Sequence, residues 1–186
     1  MGEKFEYYHL ENKFESLFYR AIFVFKFIFL IIKESRMKLL IPPPIQALLS
    51  VILMWLISIY FLQANFSLNA INVFALVFLI IAVIIIILSI NKFRKIRTTI
   101  SPLEPNKTSS LVNSGIYRYT RNPMYLGLLL MLFSTVLFLK NFISFLIIPL
   151  FILFITRNQI LPEEETLDNI FGEEYKNYKK TVRRWI

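Results

Sequence analysis

Residues Ile71 to Ile90 read INVFALVFLIIAVIIIILSI: twenty positions with no charge, and only Asn72 and Ser89 polar. As a helix this stretch is about 30 Å long at 1.5 Å per residue, the thickness of a bilayer's hydrocarbon. It lies within a longer gap. No charged residue occurs between Lys38 and Lys92, a run of 53 residues. Water would not hold such a run as a loop or linker. The chain therefore reads as an integral membrane protein, and a soluble enzyme is excluded.

Outward from that segment, the N-terminal side holds a second span. Pro42–Pro44 cannot continue a helix but can begin one, and Ile45 to Leu62 follows as an apolar helix. Gln63–Asn69 is the uncharged turn between the two. Residues 1–38 are mixed: Ala21–Ile32 is apolar but is interrupted by Lys26, so this extension reads either as an interfacial amphipathic helix or as an additional span.

On the C-terminal side a polar connection, Asn91 to Asn122, carries seven basic residues. Pro123 to Leu139 and Phe142 to Thr156 then form two more apolar helices around a tight turn at Lys140 and Asn141, with a kink expected at Pro149. A polar tail closes the chain and holds six basic residues from Arg157 onward. The turn at 63–70 holds none and the turn at 140–141 only Lys140. The positive-inside rule then puts the 91–122 connection and the C-terminus in the cytoplasm, at the inner membrane if the source is bacterial. The expected fold is an all-α, multi-span membrane helical bundle with a cytoplasmic C-terminal helical segment. Residues 1–38 form the extension and 39–186 the working domain.

Composition restricts the chemistry. The 186 residues are 56% hydrophobic and 18% charged, with mean hydropathy +0.60 and a net charge of +9. In a membrane protein that surplus points to headgroups and cytoplasmic loops, with no nucleic acid implied. There is no cysteine and one histidine, His9, which excludes thiolate metal sites, disulfides and Cys or His-triad nucleophiles; no metal is expected. Glycine occurs four times and never between residues 3 and 114, so a Gly-rich nucleotide loop is absent. No ionisable residue lies inside the four clear spans, and no internal repeat is visible, which argues against a transporter.

Chemistry is then left to two polar clusters at helix ends. The first runs from Leu111 to Gly127. Asn122 suits an N-cap and Pro123 the first helical position, so the helix would present free N–H groups and a positive end to an anion, helped by Arg121. Alternatively it is a capped helix with Tyr117, Tyr119 and Tyr125 as an interfacial belt. The second cluster runs from Leu161 to Gly172. Pro162 is expected to start a helix and Gly172 to end it. At about 100° per residue Glu164, Leu167 and Phe171 share one face, while Glu165 points nearly opposite. A carboxylate on that apolar face needs a partner, such as Arg121 or a cationic ligand; otherwise the acids simply complement the helix dipole in water. The tail Glu173–Ile186, with Tyr175, Tyr178 and Val182 at helical spacing, reads as an interfacial anchor on anionic lipid.

Taken together, Gly115-Ile116-Tyr117, Arg121-Asn122-Pro123-x-Tyr125, Glu163-Glu164, Leu167, Phe171-Gly172-x-x-Tyr175, Tyr178 and Arg184-Trp185 resemble the isoprenylcysteine carboxyl methyltransferase and phospholipid methyltransferase family over residues 98–186. The start at Leu39 to Pro44 is similar to that of many bacterial members. The resemblance implies a membrane enzyme that binds S-adenosylmethionine without a Rossmann fold. It also implies methyl transfer to a carboxylate or amine of a lipophilic or lipid substrate entering sideways from the membrane. Carried onto this sequence, it assigns cofactor binding to Gly115, Tyr117, Arg121, Asn122, Pro123, Tyr125, Glu163 and Glu164, with Arg121 and Glu164 also catalytic. Glu164 is expected to take the cofactor's ammonium or ribose hydroxyls, with Glu163 second. Well-studied members have His where this chain has Asn122, so a role resting on an imidazole does not carry over. Two alternatives stand beside this: an NADPH-dependent membrane reductase of the sterol-reductase type, and a non-enzymatic membrane protein.

Overall fold

The computed structural model describes residues 41–66, 70–96 and 110–186. The N-terminal extension and most of the basic connection lie outside the described residues. What is described is helical: α1 (Pro43–Tyr60), α2 (Ile71–Ile96), α3 (Pro123–Leu139), α4 (Ile147–Ile155), α5 (Leu161–Phe171) and α6 (Glu173–Thr181). No strand occurs among the described residues; the one β-bridge joins Asn65 to Asn141.

Three helical stretches are long and apolar enough to cross a membrane: Pro43–Tyr60, Ile71–Lys95 and Ile143–Phe171. The fourth expected span, Pro123–Leu139, has the expected bounds but only 17 residues, the lower limit of spanning length. α2 runs six residues past its expected end and takes Lys92, Arg94 and Lys95 into its last turns, where cations favour the negative helix end. The outward faces of α1 and α2 are apolar and exposed, with Leu48, Ile52 and Trp55 on the first and Phe74, Ile80, Ile84 and Ile87 on the second. Hydrocarbon is the solvent that tolerates such a surface.

α3 sits at the centre and packs on α1, α2 and α4. Met54 and Ile57 of α1, Leu132 and Val136 of α3, and Leu150, Phe151 and Ile155 of α4 form its principal core. Against α2, the contact is made by small residues seven apart. Ala75, Ala82 and Ser89 are buried on α2; Gly127 and Ser134 are buried on α3. The Ser134 hydroxyl donates to the Ala75 carbonyl at 2.6 Å. In lipid, where the hydrophobic effect cannot drive helices together, such close approach is what holds a pair. A Cβ at Gly127 would collide with the Ile86 side chain and come 3.1 Å from the Ala82 carbonyl oxygen. Gly127→Val is therefore expected to force α2 from α3 and cost about 1–3 kcal/mol, the usual range for overpacking. Thermal unfolding of the detergent-purified variant would read this as a lowered midpoint; an unchanged midpoint would refute the close contact.

Both expected turns lie at one end of the bundle and are fastened to each other. The fully buried Asn141 donates to Phe61 O at 3.0 Å and to Asn65 Oδ1 at 2.7 Å, and its own Oδ1 accepts from the Ser144 amide. The polar clusters lie at the opposite end, where α2 finishes and α3 begins.

One expectation for the last long helix is corrected. Pro149, where a kink is expected, follows a 3-10 turn, Ile143–Leu146, and falls in the first turn of the α-helical segment, where a missing N–H costs little. Pro162 does not open a new helix. The chain stays helical through a π turn, Thr156–Ile160, and Leu161 N bonds to Thr156 O. The wider turn lies directly before the proline ring that a regular α-helix would not admit. The two glutamates therefore stand on a continuous helix and not at a free helix start.

Candidate active site

Between the end of α2, the start of α3, and α5 and α6 lies a small cavity of about 110 Å³. Its wall includes Tyr117, Arg121, Asn122, Pro123, Tyr125, Glu163 and Glu164, seven of the eight residues singled out from the sequence. Gly115 is not among them. It is exposed, with φ +68°, and opens the 3-10 turn Gly115–Arg118 that swings Tyr117 inward.

Tyr117 is buried and meets Phe93 of α2 edge-on at 5.5 Å, while its carbonyl accepts the Tyr178 hydroxyl at 2.6 Å. Burial pushes the Tyr178 hydroxyl up to about 12 and raises Tyr117 and Tyr175 as well, so all three are neutral donors at any physiological pH. The expected aromatic belt is thus corrected: Tyr117 and Tyr125 are buried, and only Tyr119 faces out. The tail is corrected in the same way. Tyr175, Tyr178 and Val182 pack with Leu111, Leu167 and Phe171, so the apolar face of α6 covers protein and not lipid. Lys179, paired with Asp168, fastens α6 to α5.

Asn122 occupies the N-cap position of α3 but makes no side-chain cap. Its Nδ2 donates instead to Arg184 O at 2.9 Å. Pro123 is at the first helical position, as expected.

The carboxylates differ sharply. Glu164 is buried and Glu165 exposed, as the helical spacing requires. Glu164 is held by two arginines. Arg184 Nε lies 3.0 Å from Oε1 and Nη2 2.7 Å from Oε2, a two-point fork. Arg121 Nη1 lies 3.3 Å from Oε1. The fork holds Arg184 above its ordinary value. The sequence does not mark Arg184 as a site residue, because its side-chain partner lies twenty residues away and its backbone partners more than sixty.

Arg121 is largely enclosed, its side chain 10% exposed. Neither its Nε nor its Nη1 has a hydrogen-bond partner among the described residues, because the contact to Glu164 lacks hydrogen-bond geometry. Glu163, by contrast, takes only neutral donors: the Tyr125 hydroxyl and Gln159 Nε2, the latter at 2.9 Å from the π turn. No cation pairs with Glu163 among the described residues. The cavity thus has an arginine with unspent donors and a carboxylate with an uncompensated charge.

A family model for phospholipid methyltransferase matches residues 70–174, more than half of the chain. The chain belongs to the phospholipid methyltransferase family. Relatives named protein-S-isoprenylcysteine O-methyltransferase include one from Schizosaccharomyces pombe, 38% identical over 77 residues, which are 41% of this chain and 33% of that one. Another, from Mus musculus, is 37% identical over 79 residues, 42% of this chain and 28% of the relative. The chain thus matches only about a third of the length of those enzymes. An uncharacterized protein of Haemophilus influenzae is 48% identical over 63 residues, 34% of this chain and its own full length. No solved structure matches the chain. The family is one of membrane methyltransferases, and the matches favour methyl transfer over the NADPH-reductase alternative.

Proposed function

We propose that this protein is a membrane methyltransferase that takes its methyl group from S-adenosylmethionine and delivers it to a carboxylate or amine of a lipophilic substrate. The observation that carries this reading is the placement in one cavity of Arg121, which has two guanidinium nitrogens without hydrogen-bond partners among the described residues, and Glu163, which has no cation beside it among them, in a chain of this family. They fit a ligand end bearing an anionic and a cationic group, as the cofactor's amino-acid end does. The cavity is smaller than the roughly 300–1,000 Å³ clefts that enclose whole ligands, so it suits such an end and not the entire molecule.

The cofactor, when bound, supplies a methyl group already activated on a sulfonium. The protein's work is alignment and exclusion of water. Arg121 would hold the carboxylate, aided by the start of α3 at Pro123–Tyr125. Glu163 would accept the ammonium, with Tyr125 and Gln159 fixing its orientation. This moves the ammonium from Glu164, expected to receive it, because Glu164 is spent on two arginines. Asn122 would act through its bond to the tail. For an amine substrate a carboxylate of this pair could also accept a proton; for a carboxylate substrate no base is needed. The substrate would enter sideways from lipid into the domain formed by residues 39–186.

Calorimetric titration of the purified protein tests the reading. S-adenosylmethionine or its demethylated product should bind in the micromolar range, about −8 kcal/mol, and NADPH should not. Binding of NADPH alone would overturn it.

We also infer that the site faces the cytoplasm, from the seven and six basic residues at that end of the chain's helices. The chain has no cysteine, so one can be placed at will. Asn113→Cys, at an exposed position, should resist an impermeant thiol reagent in intact cells and react after lysis. Labelling from outside would invert the topology.

A further inference from the structure

We propose that Arg184 is a positioning residue, and that the C-terminal strap Val182–Ile186 is part of the site; this rests on the cofactor reading above. The strap lies along the segment that carries Arg121. Arg121 N donates to Arg183 O at 3.0 Å, and the Arg184 carbonyl accepts both Thr120 Oγ1 at 3.2 Å and Asn122 Nδ2 at 2.9 Å. Val182 is buried beside Tyr178, and Trp185 packs against the core of the helical bundle. The strap is therefore anchored on both sides of Arg184.

Its guanidinium is about a third exposed and does not line the cavity. It reaches Glu164 from the outer side and takes both carboxylate oxygens, which fixes the carboxylate plane. Glu164 in turn lies beside Arg121, which lines the cavity. The order of dependence is strap, Arg184, Glu164, Arg121, ligand. A flexible guanidinium holding a ligand alone would have to be ordered on binding; here that ordering is done in the folded protein.

The geometry separates the fork from mere charge. Lysine at 184 keeps the positive charge beside Glu164 but, as a point charge, cannot grip both oxygens. Three variants, Arg184→Ala, Arg184→Lys and Glu164→Gln, and the Arg184→Ala/Glu164→Gln double form the test. The probe is S-adenosylhomocysteine, titrated calorimetrically, with thermal unfolding measured in parallel. Arg184→Ala should weaken binding by about 10–100-fold, as loss of a residue that orients a binding group does. Arg184→Lys should regain the unfolding midpoint and leave the affinity at least about tenfold weak. The double variant should bind no more weakly than Glu164→Gln alone, because both changes act through one carboxylate. A lysine variant with wild-type affinity, or additive losses in the double, would overturn the proposal. A ligand-free measurement keeps it separate from the cofactor reading. The Arg121 Nε–H resonance in arginine-labelled protein, assigned with Arg121→Lys, should shift or broaden in Arg184→Lys. If it stays unchanged the proposal fails. If it moves while the wild type binds no probe, only the cofactor reading falls.

Discussion

Arg121→Ala is expected to reduce affinity for S-adenosylmethionine or its demethylated product by about 2 kcal/mol or more, some thirtyfold, while the protein still folds and inserts. The loss is large because the guanidinium is buried, and a charge-assisted bond in a dry site is worth more than one in water. The fold should survive for a reason specific to this site. Removing one partner of a buried ion pair usually strands the other at a cost of about 3–5 kcal/mol. Here Glu164 keeps the Arg184 fork on both oxygens, so its charge stays compensated. Arg121→Lys should recover only part of the affinity, since it cannot offer two parallel donors. Calorimetry and thermal unfolding on the same preparations decide it. Unchanged affinity in the alanine variant would remove Arg121 from the site. Lost affinity together with a collapsed unfolding midpoint would make it a structural residue.

The membrane architecture was legible because hydrocarbon imposes a one-dimensional rule on sequence. A charge-free run must span, and a proline beside it marks where the helix starts. Ile71 and Pro123 begin helices where they were expected to, and Leu139 ends one. Charges at α2's last turns misled for the same reason. Lys92, Arg94 and Lys95 signal the edge of the hydrocarbon, but the helix continues into water, where its dipole accepts them. Pro162 looked like a start because proline suits a first turn equally well. That a π turn carries the helix through it depends on backbone relaxation, which leaves no composition signal.

The site was legible up to the limit of helical spacing. A wheel tells which way Glu164 and Glu165 point, and burial follows it. It cannot tell what arrives from elsewhere. Asn122 was legible as a local cap, yet its side chain goes to a carbonyl 62 residues away. Arg184 stands out in the sequence only as part of a motif. Its fork on Glu164 requires the tail to fold back over the start of α3. Nothing local distinguishes an arginine that does so from one that snorkels to lipid headgroups.

That limit changes the expected outcome at the glutamates. Spacing alone ranks Glu164 above Glu163, with Glu165 neutral. The contacts keep Glu165 last but divide the other two by kind. Glu163→Gln preserves the shape and can still accept hydrogen bonds from Tyr125 and Gln159, so only the charge is lost. If that charge meets a bound cation, binding should fall by about 2 kcal/mol or more, and the fold should hold, because no ion pair within the protein is broken. Glu164→Gln instead leaves Arg121 and Arg184 facing a neutral amide in a buried setting, so it should lower both affinity and the unfolding midpoint. Glu165→Gln should match wild type in both, within the 0.3–1 kcal/mol or so of a helix-end charge. The discriminating quantity is therefore the pairing of affinity with stability across three adjacent positions. Loss of binding without loss of stability at Glu163, and loss of both at Glu164, is the expected pattern. If Glu163→Gln binds as wild type, the cation does not meet Glu163, and the charge asymmetry of the cavity would need another occupant.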